Sequence, residues 1–522
     1  MRTQERATGL PRRHGQPRHG QEISRELCLL LAFMRKLSFM PGVLALTACA
    51  AGPDYQVPAS TALSVPPRWS VPTDQAAQGA LARWWEQLND PLLTQLIDEG
   101  RQSNLDLALA LTRLRQAREG LIQARSGNLP TITGSGSASR NELLAGSGFG
   151  GIGIPGAIGR STTALTLGAD ASYQADLFGG RGRSIEAARA ATQASEFDYG
   201  AVILTVSSEI ATNYLIARLQ QAELANARLS LANLDENLQI AHWRNQAGLA
   251  GSLDVEQART QRAQTAATIP QLESSLNQSV SRLGVLLGGP PGALRAKLAA
   301  VSPIPDAPTT IAAGLPADVL RQRPDVRAAE RQLAAATAQI GVSQAQLYPA
   351  LSLGGTVSTS ASTVGSLLEV ISGRVFASLA QTIFDNGRLR SQVRSQRAIA
   401  DGAFLSYKQT VLGALEDIEN ALVALSSANR RTNDFCTALE AGINSAIIAR
   451  IQYRSGLIDF TALLNTENQL ISSRTGLAQA QYDRAAAAVQ LYTALGGGWN
   501  GQMPGSTEQI EPGPIEPERE KP

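Results

Sequence analysis

Two hydrophobic periods divide this chain. From Ile203 through Val206, Ile210, Leu224, Leu231 and Leu234 to Ala241, apolar residues recur in strict three–four spacing, and only Asn213 and Gln220 on that stripe are polar. A second stripe runs from Val411 through Ile418 and Leu425 to Ala446 in the same frame. Such spacing is the seam of helices packed as coiled coil. It predicts a helix over residues 184 to 246, about 95 Å long at 1.5 Å per residue and far longer than a globular domain is wide. The stretch TALTLGADASYQADLFGG (163–180) has the other period: Leu165, Leu167, Ala169, Ala171 and Tyr173 alternate with Thr166, Gly168, Asp170, Ser172 and Gln174. That is a strand with one apolar and one wet face. Weaker versions occupy 131–139, 351–360 and 375–384.

The chain is written twice. WRNQAGLAGSLDV (243–255) aligns with IQYRSGLIDFTAL (451–463), placing Gly248 on Gly456 and Leu249 on Leu457, and the two helical stripes coincide under the same offset. DLFGGRGR (176–183) matches TIFDNGRLR (382–390), and NLP (128–130) matches LYP (347–349). Each long helix turns at its Gly-Leu pair and returns through a shorter helix, to about Gly288 and about Gly496, where LLGGPPG and ALGGGW punctuate the chain. One further helix is expected over 90–126, and another opens at Pro324, a residue suited to a first helical turn.

Each half thus carries one hairpin, with strands of about ten residues, enough to cross a bilayer as tilted barrel strands. Four strands cannot close, and an open edge in lipid leaves backbone groups unpaired at several kcal/mol each. Two copies give eight strands and a filled interior, while three give twelve and room for a lumen. A soluble hairpin pair capping a helical bundle is the alternative.

The N-terminus adds a membrane signal. MRKLSFMPGVLALTACA, from Met34, has a charged start (Arg35, Lys36) and a short apolar run, and Leu46-Thr47-Ala48-Cys49 has the form of a bacterial lipobox. Lipid is therefore expected on Cys49, with translation from Met34. The domain reading follows: 1–33 an upstream extension, 34–48 a lipoprotein signal peptide, 49–89 a lipid-anchored linker, 90–288 the first repeat, 289–315 a linker, 316–499 the second repeat, and 500–522 a disordered tail. The formal charge of +2 becomes −3 without residues 1–48, which hold eight basic and three acidic side chains. A nearly neutral chain without a basic stripe argues against nucleic-acid binding. Cys28, Cys49 and Cys436 form neither a disulfide framework nor a metal-ligand spacing.

Enzyme chemistry is not legible. Past residue 48 the one histidine is His242, and there is no Walker A sequence. GFGGIG (148–153) matches a dinucleotide fingerprint but lacks the strand–turn–helix context, and residues 141–160 read as a loop at the outer end of a hairpin. No cofactor or metal is expected beyond the lipid on Cys49.

In WWEQLNDPLLTQLI (84–97), ADLFGGRGR (175–183), GLAGSLDV (248–255), RPDVRAAE (323–330), YRSGLIDFTALLNTENQL (453–470) and LYTALGGGW (491–499), the chain resembles the TolC-like outer-membrane factors, specifically the lipoprotein branch paired with proton-driven (RND-type) multidrug pumps. The resemblance spans Cys49 to Trp499. It implies a mainly α fold with a membrane β-barrel: a homotrimer with a twelve-stranded barrel in the outer membrane and a coiled-coil tunnel in the periplasm. The implied role is a passive exit duct for small molecules, engaged by a periplasmic adaptor and an inner-membrane pump. Tyr453 and Arg454 match positions that hold the periplasmic gate closed. Gly456-Leu457 and Gly248-Leu249 match the adaptor-facing tips. Thr461 and Asn465 fall where the family commonly constricts the pore with leucine and aspartate, so a carboxylate ring is missing unless Asp459 supplies it. A structural coiled-coil envelope lipoprotein without a pore, and a soluble periplasmic scaffold, are the competing readings.

Overall fold

The computed structural model describes residues 51–70, 81–142, 161–499 and 501. The signal peptide, Cys49, the 148–153 glycines and the C-terminal tail after Gly501 lie outside the described residues. In chain order the elements are α1 (Pro91–Ser103), α2 (Leu105–Ser126), β1 (Thr131–Glu142), β2 (Ser161–Ala175), α3 (Gly180–Gln246), α4 (Ser252–Leu286), α5 (Pro316–Gln322), α6 (Pro324–Ala345), β3 (Ala350–Ala361), β4 (Ile371–Ala380), α7 (Arg388–Arg454) and α8 (Phe460–Ala494).

The duplication is kept to the residue. The starts and ends of α3 and α7 are offset by 208 positions, as are those of α4 and α8. The bounds of α2 and β1 are offset from those of α6 and β3 by 219. The difference of eleven is absorbed between the strands of each hairpin. The helical stripes face inward as their spacing requires: Ile210, Ala217, Val411 and Ile418 are fully buried. The two polar positions are satisfied, Asn213 by donating to the Glu209 carbonyl (2.8 Å) and Gln220 by accepting from the Ser279 hydroxyl (2.8 Å). One window of α3 is apolar enough by composition to span a membrane, but over half of it is buried inside the protein.

All four of these helices end alike. Beyond each, a glycine takes a positive φ (Gly248 70°, Gly288 70°, Gly456 75°, Gly496 80°). The following residue donates back five positions, Leu249 to Arg244, Gly289 to Gly284, Leu457 to Gln452 and Gly497 to Tyr492. This is the Schellman closure, which satisfies otherwise orphaned carbonyls and needs glycine for its left-handed residue.

Two expectations are corrected. The helix read over 90–126 is two helices, because Asn104 adopts extended backbone (ψ 134°). Its Oδ1 accepts from Asp106 (2.8 Å) and Leu107 (3.1 Å) as an N-cap, and its Nδ2 donates to the Leu286 carbonyl (2.7 Å). Arg323 occupies the repeat-equivalent position and donates to the equivalent carbonyl, Ala494 (2.9 Å). The strand read over 375–384 is Ile371–Ala380, since Ala380 pairs with Ala350 at the start of β3 and residues 381–384 find no partner strand among the described residues.

The main core lies where the chain's first and last motifs meet. Trp84 stacks on Tyr492 with centroids 5.6 Å apart and abuts Trp85 edge-on at 5.7 Å, above Leu93, Leu96, Ile97 and Ile210. The glycine run after α8 permits this approach: the Gly498 amide donates to the Leu81 carbonyl (2.8 Å).

Replacing Gly248 with alanine costs about 1 kcal/mol, the strain of a positive φ alone, since a Cβ there meets nothing within 4 Å. Gly288→Ala costs clearly more, because its Cβ would lie 2.3 Å from the Ser103 carbonyl oxygen. Thermal unfolding followed by circular dichroism should rank the variants in that order.

Candidate functional site

At the far end of the coiled coils, the α3–α4 and α7–α8 turns lie side by side and enclose a small core of Ala241, Val255, Ala258, Ala449, Tyr453, Phe460 and Leu463. The two turn leucines, Leu249 and Leu457, project instead, at 70% and 75% exposure. Gly248-Leu249 and Gly456-Leu457 thus form a blunt apolar tip held by backbone geometry.

Tyr453 is buried, packs edge-on against Phe460 (5.6 Å) and has no partner for its hydroxyl among the described residues. Burial pushes its phenol up from the usual tyrosine range, against the opposing pull of Arg244. The Arg244 guanidinium lies 4.6 Å from the Tyr453 ring centre and donates to the Tyr453 carbonyl. Arg454 pairs with Glu236 on α3. The two hairpins are therefore tied twice at the tip, by Arg244 to α7 and by Arg454 to α3. Sequence reasoning named Tyr453 and Arg454 but missed Arg244 and Glu236. For Arg244 the available signal was position, since residues just before two adjacent turns must meet; Glu236, about three turns further up α3, carried none.

Three further expected residues separate. Asp459 caps α8, its Oδ1 accepting from the Ala462 amide (2.8 Å). Thr461 and Asn465 share one exposed face of α8 a turn apart. Asn468 continues that face and accepts from Gln261 on α4 (3.0 Å). One layer deeper, Arg450 on α7 grips Glu467 on α8 (Nη2–Oε2 2.9 Å), with Glu467 only 3% exposed. That hydrogen bond is the main cause holding the Arg450 guanidinium above its ordinary value. Burial, then the neighbouring Arg450, pushes Arg474 down.

The opposite end of the chain is a four-stranded antiparallel meander, β1-β2-β3-β4. Its register puts Ile132, Ala171, Gly355 and Val375 in one row on one face, and Thr133, Asp170, Thr356 and Arg374 in the next row on the other. Alternation keeps the first face mainly apolar (Leu165, Leu167, Leu353, Val357, Leu379), with Arg140 and Glu142 at its outer rim, and the second mainly small and polar (Ser135, Ser137, Thr166, Ser352, Ser358, Ser378), with Phe376 lying over Gly354 as its large apolar side chain. Tyr173 closes the apolar face at its helix-side end, where barrels carry interfacial aromatics. The outer edges of β1 and β4 are unpaired among the described residues.

Where the sheet hands over to helices, the N-terminal arm is bolted down. The Ala51 amide donates to the Phe178 carbonyl (3.0 Å). Arg183, 7% exposed, donates to the Ala51 (3.3 Å) and Gly52 (3.4 Å) carbonyls and pairs with Asp54 (2.5 Å).

An apolar-and-wet sheet joined to coiled coils of this length defines a membrane duct component. Residues 96–289 and 315–497 match the family described as "Outer membrane efflux protein", and the chain belongs to that family. It is 31% identical to the pyoverdine export outer membrane protein OpmQ of Pseudomonas putida, over 90% of this chain and 99% of the relative. It is 30% identical to Nodulation protein T of Rhizobium leguminosarum bv. trifolii, over 88% of this chain and 96% of the relative. The solved outer-membrane channel OprN superposes with a TM-score of 0.77 at 31% identity, over 86% of this chain and all of that one. The protein is an efflux channel of the outer membrane, of the kind that serves tripartite pumps, and the pore-free lipoprotein reading falls away. Its relatives are channels and transport proteins rather than enzymes.

Glu467→Gln leaves Arg450 without its counter-charge inside the coiled coil and should cost about 2 kcal/mol. Arg450→Met combined with Glu467→Leu should recover most of that loss. Thermal unfolding of the three chains checks both.

Proposed function

We propose that three copies of this chain close a twelve-stranded barrel and a continuous helical tunnel, so that the assembly is a passive exit duct. The observation that carries this reading is that the seam between the two repeats is filled inside the chain, while the equivalent seam after the second repeat is open. Helix α6 lies between α3 and α7, whereas α2 packs along α3 and otherwise only touches α1 where the two adjoin. Ala328 of α6 is 3% exposed, and its repeat-equivalent in α2, Leu109, is 50% exposed. Gly341 is buried beneath Arg183 of α3 and the N-terminal arm at Ala51, and its equivalent Ile122 is 44% exposed. Helix α7 of another copy, docked on α2 as α3 docks on α6, covers both.

The strands support the same operation. Applying the two repeat offsets to the β2–β3 register pairs Ser378 with Ser137 of the partner subunit and Ala380 with Ser135 of the partner subunit. Wet face then meets wet face and apolar meets apolar. Residues 381–384, stranded within one chain, gain a partner, and Ile383 (97% exposed) comes beside Ile132 (75% exposed) of the partner subunit. Six equivalent repeats close with no edge left in lipid.

In this reading Tyr453 and Arg454, with Arg244 and Glu236, hold the periplasmic gate closed. Gly248-Leu249 and Gly456-Leu457 are the tips met by a periplasmic adaptor, and an inner-membrane RND-type pump supplies the energy. Thr461 and Asn465 line the mouth with neutral groups, and Asp459 is committed to its cap. Lipid on Cys49 anchors the arm, and the Arg183 seat for Ala51 and Asp54 keeps that anchor close to the foot of the barrel. The chain itself catalyses nothing and needs no cofactor.

The seam is tested by disulfide trapping in a Cys436→Ser background. Ser378→Cys with Ser137→Cys should yield covalent oligomers that stop at three chains. Ser378→Cys with Ala138→Cys, whose second thiol faces lipid, should yield none, and the reverse pattern would refute the seam. Arg454→Ala with Glu236→Gln should raise conductance in planar bilayers severalfold, and an unchanged conductance would remove these residues from the gate.

A further inference from the structure

The wet face of the sheet is not uniformly neutral. Among the described strand residues it carries two charges, Asp170 on β2 and Arg374 on β4. Both belong to one row of the register, Thr133–Asp170–Thr356–Arg374. Thr356 separates them by two strand spacings, about 10 Å. Neither forms an ion pair or a side-chain hydrogen bond among the described residues. The two remaining strand charges, Arg140 and Glu142, lie on the other face at its outer rim and pair with each other at 3.1 Å. An arginine in the middle of a lipid-facing strand costs about 2–4 kcal/mol, which fixes the face bearing Arg374 as the lumen. Around the two charges the lumen face offers neutral groups, the short Ser135, Thr166, Ser358 and Ser372 and, two residues from Arg374, the Phe376 ring lying over Gly354. These neither reach nor neutralise them.

We propose that Asp170 and Arg374 form two charged collars inside the barrel, an acidic triad and a basic triad, that set the charge preference of the duct's outer-membrane section. The proposal rests on the three-chain reading above, since one chain supplies one charge to each collar. Barrel strands tilt by about 35–45°, so a row perpendicular to them climbs as it goes round, and the two triads lie at different heights along the axis. A permeating ion therefore meets two stacked fields of opposite sign rather than a neutralised pair. At 0.1 M salt the Debye length is about 10 Å, so such fields extend well into the lumen, and at 1 M they shrink to about 3 Å. The collars lie beyond the helical gate and act on whatever has already passed it, favouring solutes that carry both signs of charge or none.

The test is the reversal potential of full-length channels in planar bilayers under a potassium chloride gradient at low salt. The Arg454→Ala, Glu236→Gln background keeps the tip from dominating the resistance. Arg374→Gln should raise the cation-to-anion permeability ratio about twofold or more, because the acidic triad is left alone. Asp170→Asn should move the ratio the opposite way, the double variant should return towards the start, and all shifts should fade in 1 M salt. Arg374→Cys in a Cys436→Ser chain, treated with a cationic thiol reagent, should regain the starting ratio, which separates lost charge from misfolding. Conducting channels whose ratio is the same in all variants would overturn the collars. Absence of any current from the unmutated tip-loosened channel would instead overturn the duct, and the collars with it.

Discussion

A strand edge cannot face hydrocarbon, and the rest of this structure follows from that constraint. The four strands of one chain leave two edges, on β1 and β4, with backbone donors and acceptors that lipid cannot satisfy. Adding copies is the remedy, and the internal repeat has already prepared the joint. The contact between the first and second repeats inside the chain is a template for the contact between the second repeat and the first of the next copy. Leu109, Ile122, Ile132 and Ile383 are exposed in one chain because each belongs to the unfilled version of that joint. Apolar surface of this kind is the mark of an interface rather than of a monomer.

The helices carry the same two-fold logic from the membrane to the tip. Equal lengths in α3 and α7, and in α4 and α8, bring the two turns to the same level and both return helices back to the same core. Glycines at the ends make this termination sharp, since a side chain at any of the four positive-φ positions strains the closure. Where the halves differ, the difference has a local cause. Asn104 and Arg323 reach equivalent carbonyls with side chains of different length. Arg323, bonded to Asp325 at 2.7 Å and to Asp417 at 3.3 Å, also ties α7 into the joint, which the asparagine cannot do. Arg183 has no counterpart, because its repeat-equivalent is Ser391 and there is one N-terminal arm to hold.

Much of the fold was legible because it is periodic. Long stripes, the Gly-Leu turns and the alternation of β2 are properties of spacing, and spacing survives in sequence. What was not legible depends on partners elsewhere. The break at Asn104 is one polar residue in an otherwise helical run, decided by a carbonyl at Leu286 that no local pattern predicts. The strand over 375–384 has sound alternation, but its last residues have no neighbour until another chain arrives. At the tip, Tyr453 and Arg454 stood out through resemblance, while Arg244 and Glu236 emerged when the two hairpins were laid together. Asp459 looked available as a pore carboxylate, yet its cap on α8 occupies it.

The central claim, that six equivalent repeats from three chains close one barrel, is tested most directly by native mass spectrometry of the protein extracted in mild detergent from outer membranes. The account predicts one dominant species with the mass of three chains. A stable monomer, a dimer, or a broad ladder of sizes would contradict it, because none of these reuses the internal joint to leave no edge in the membrane.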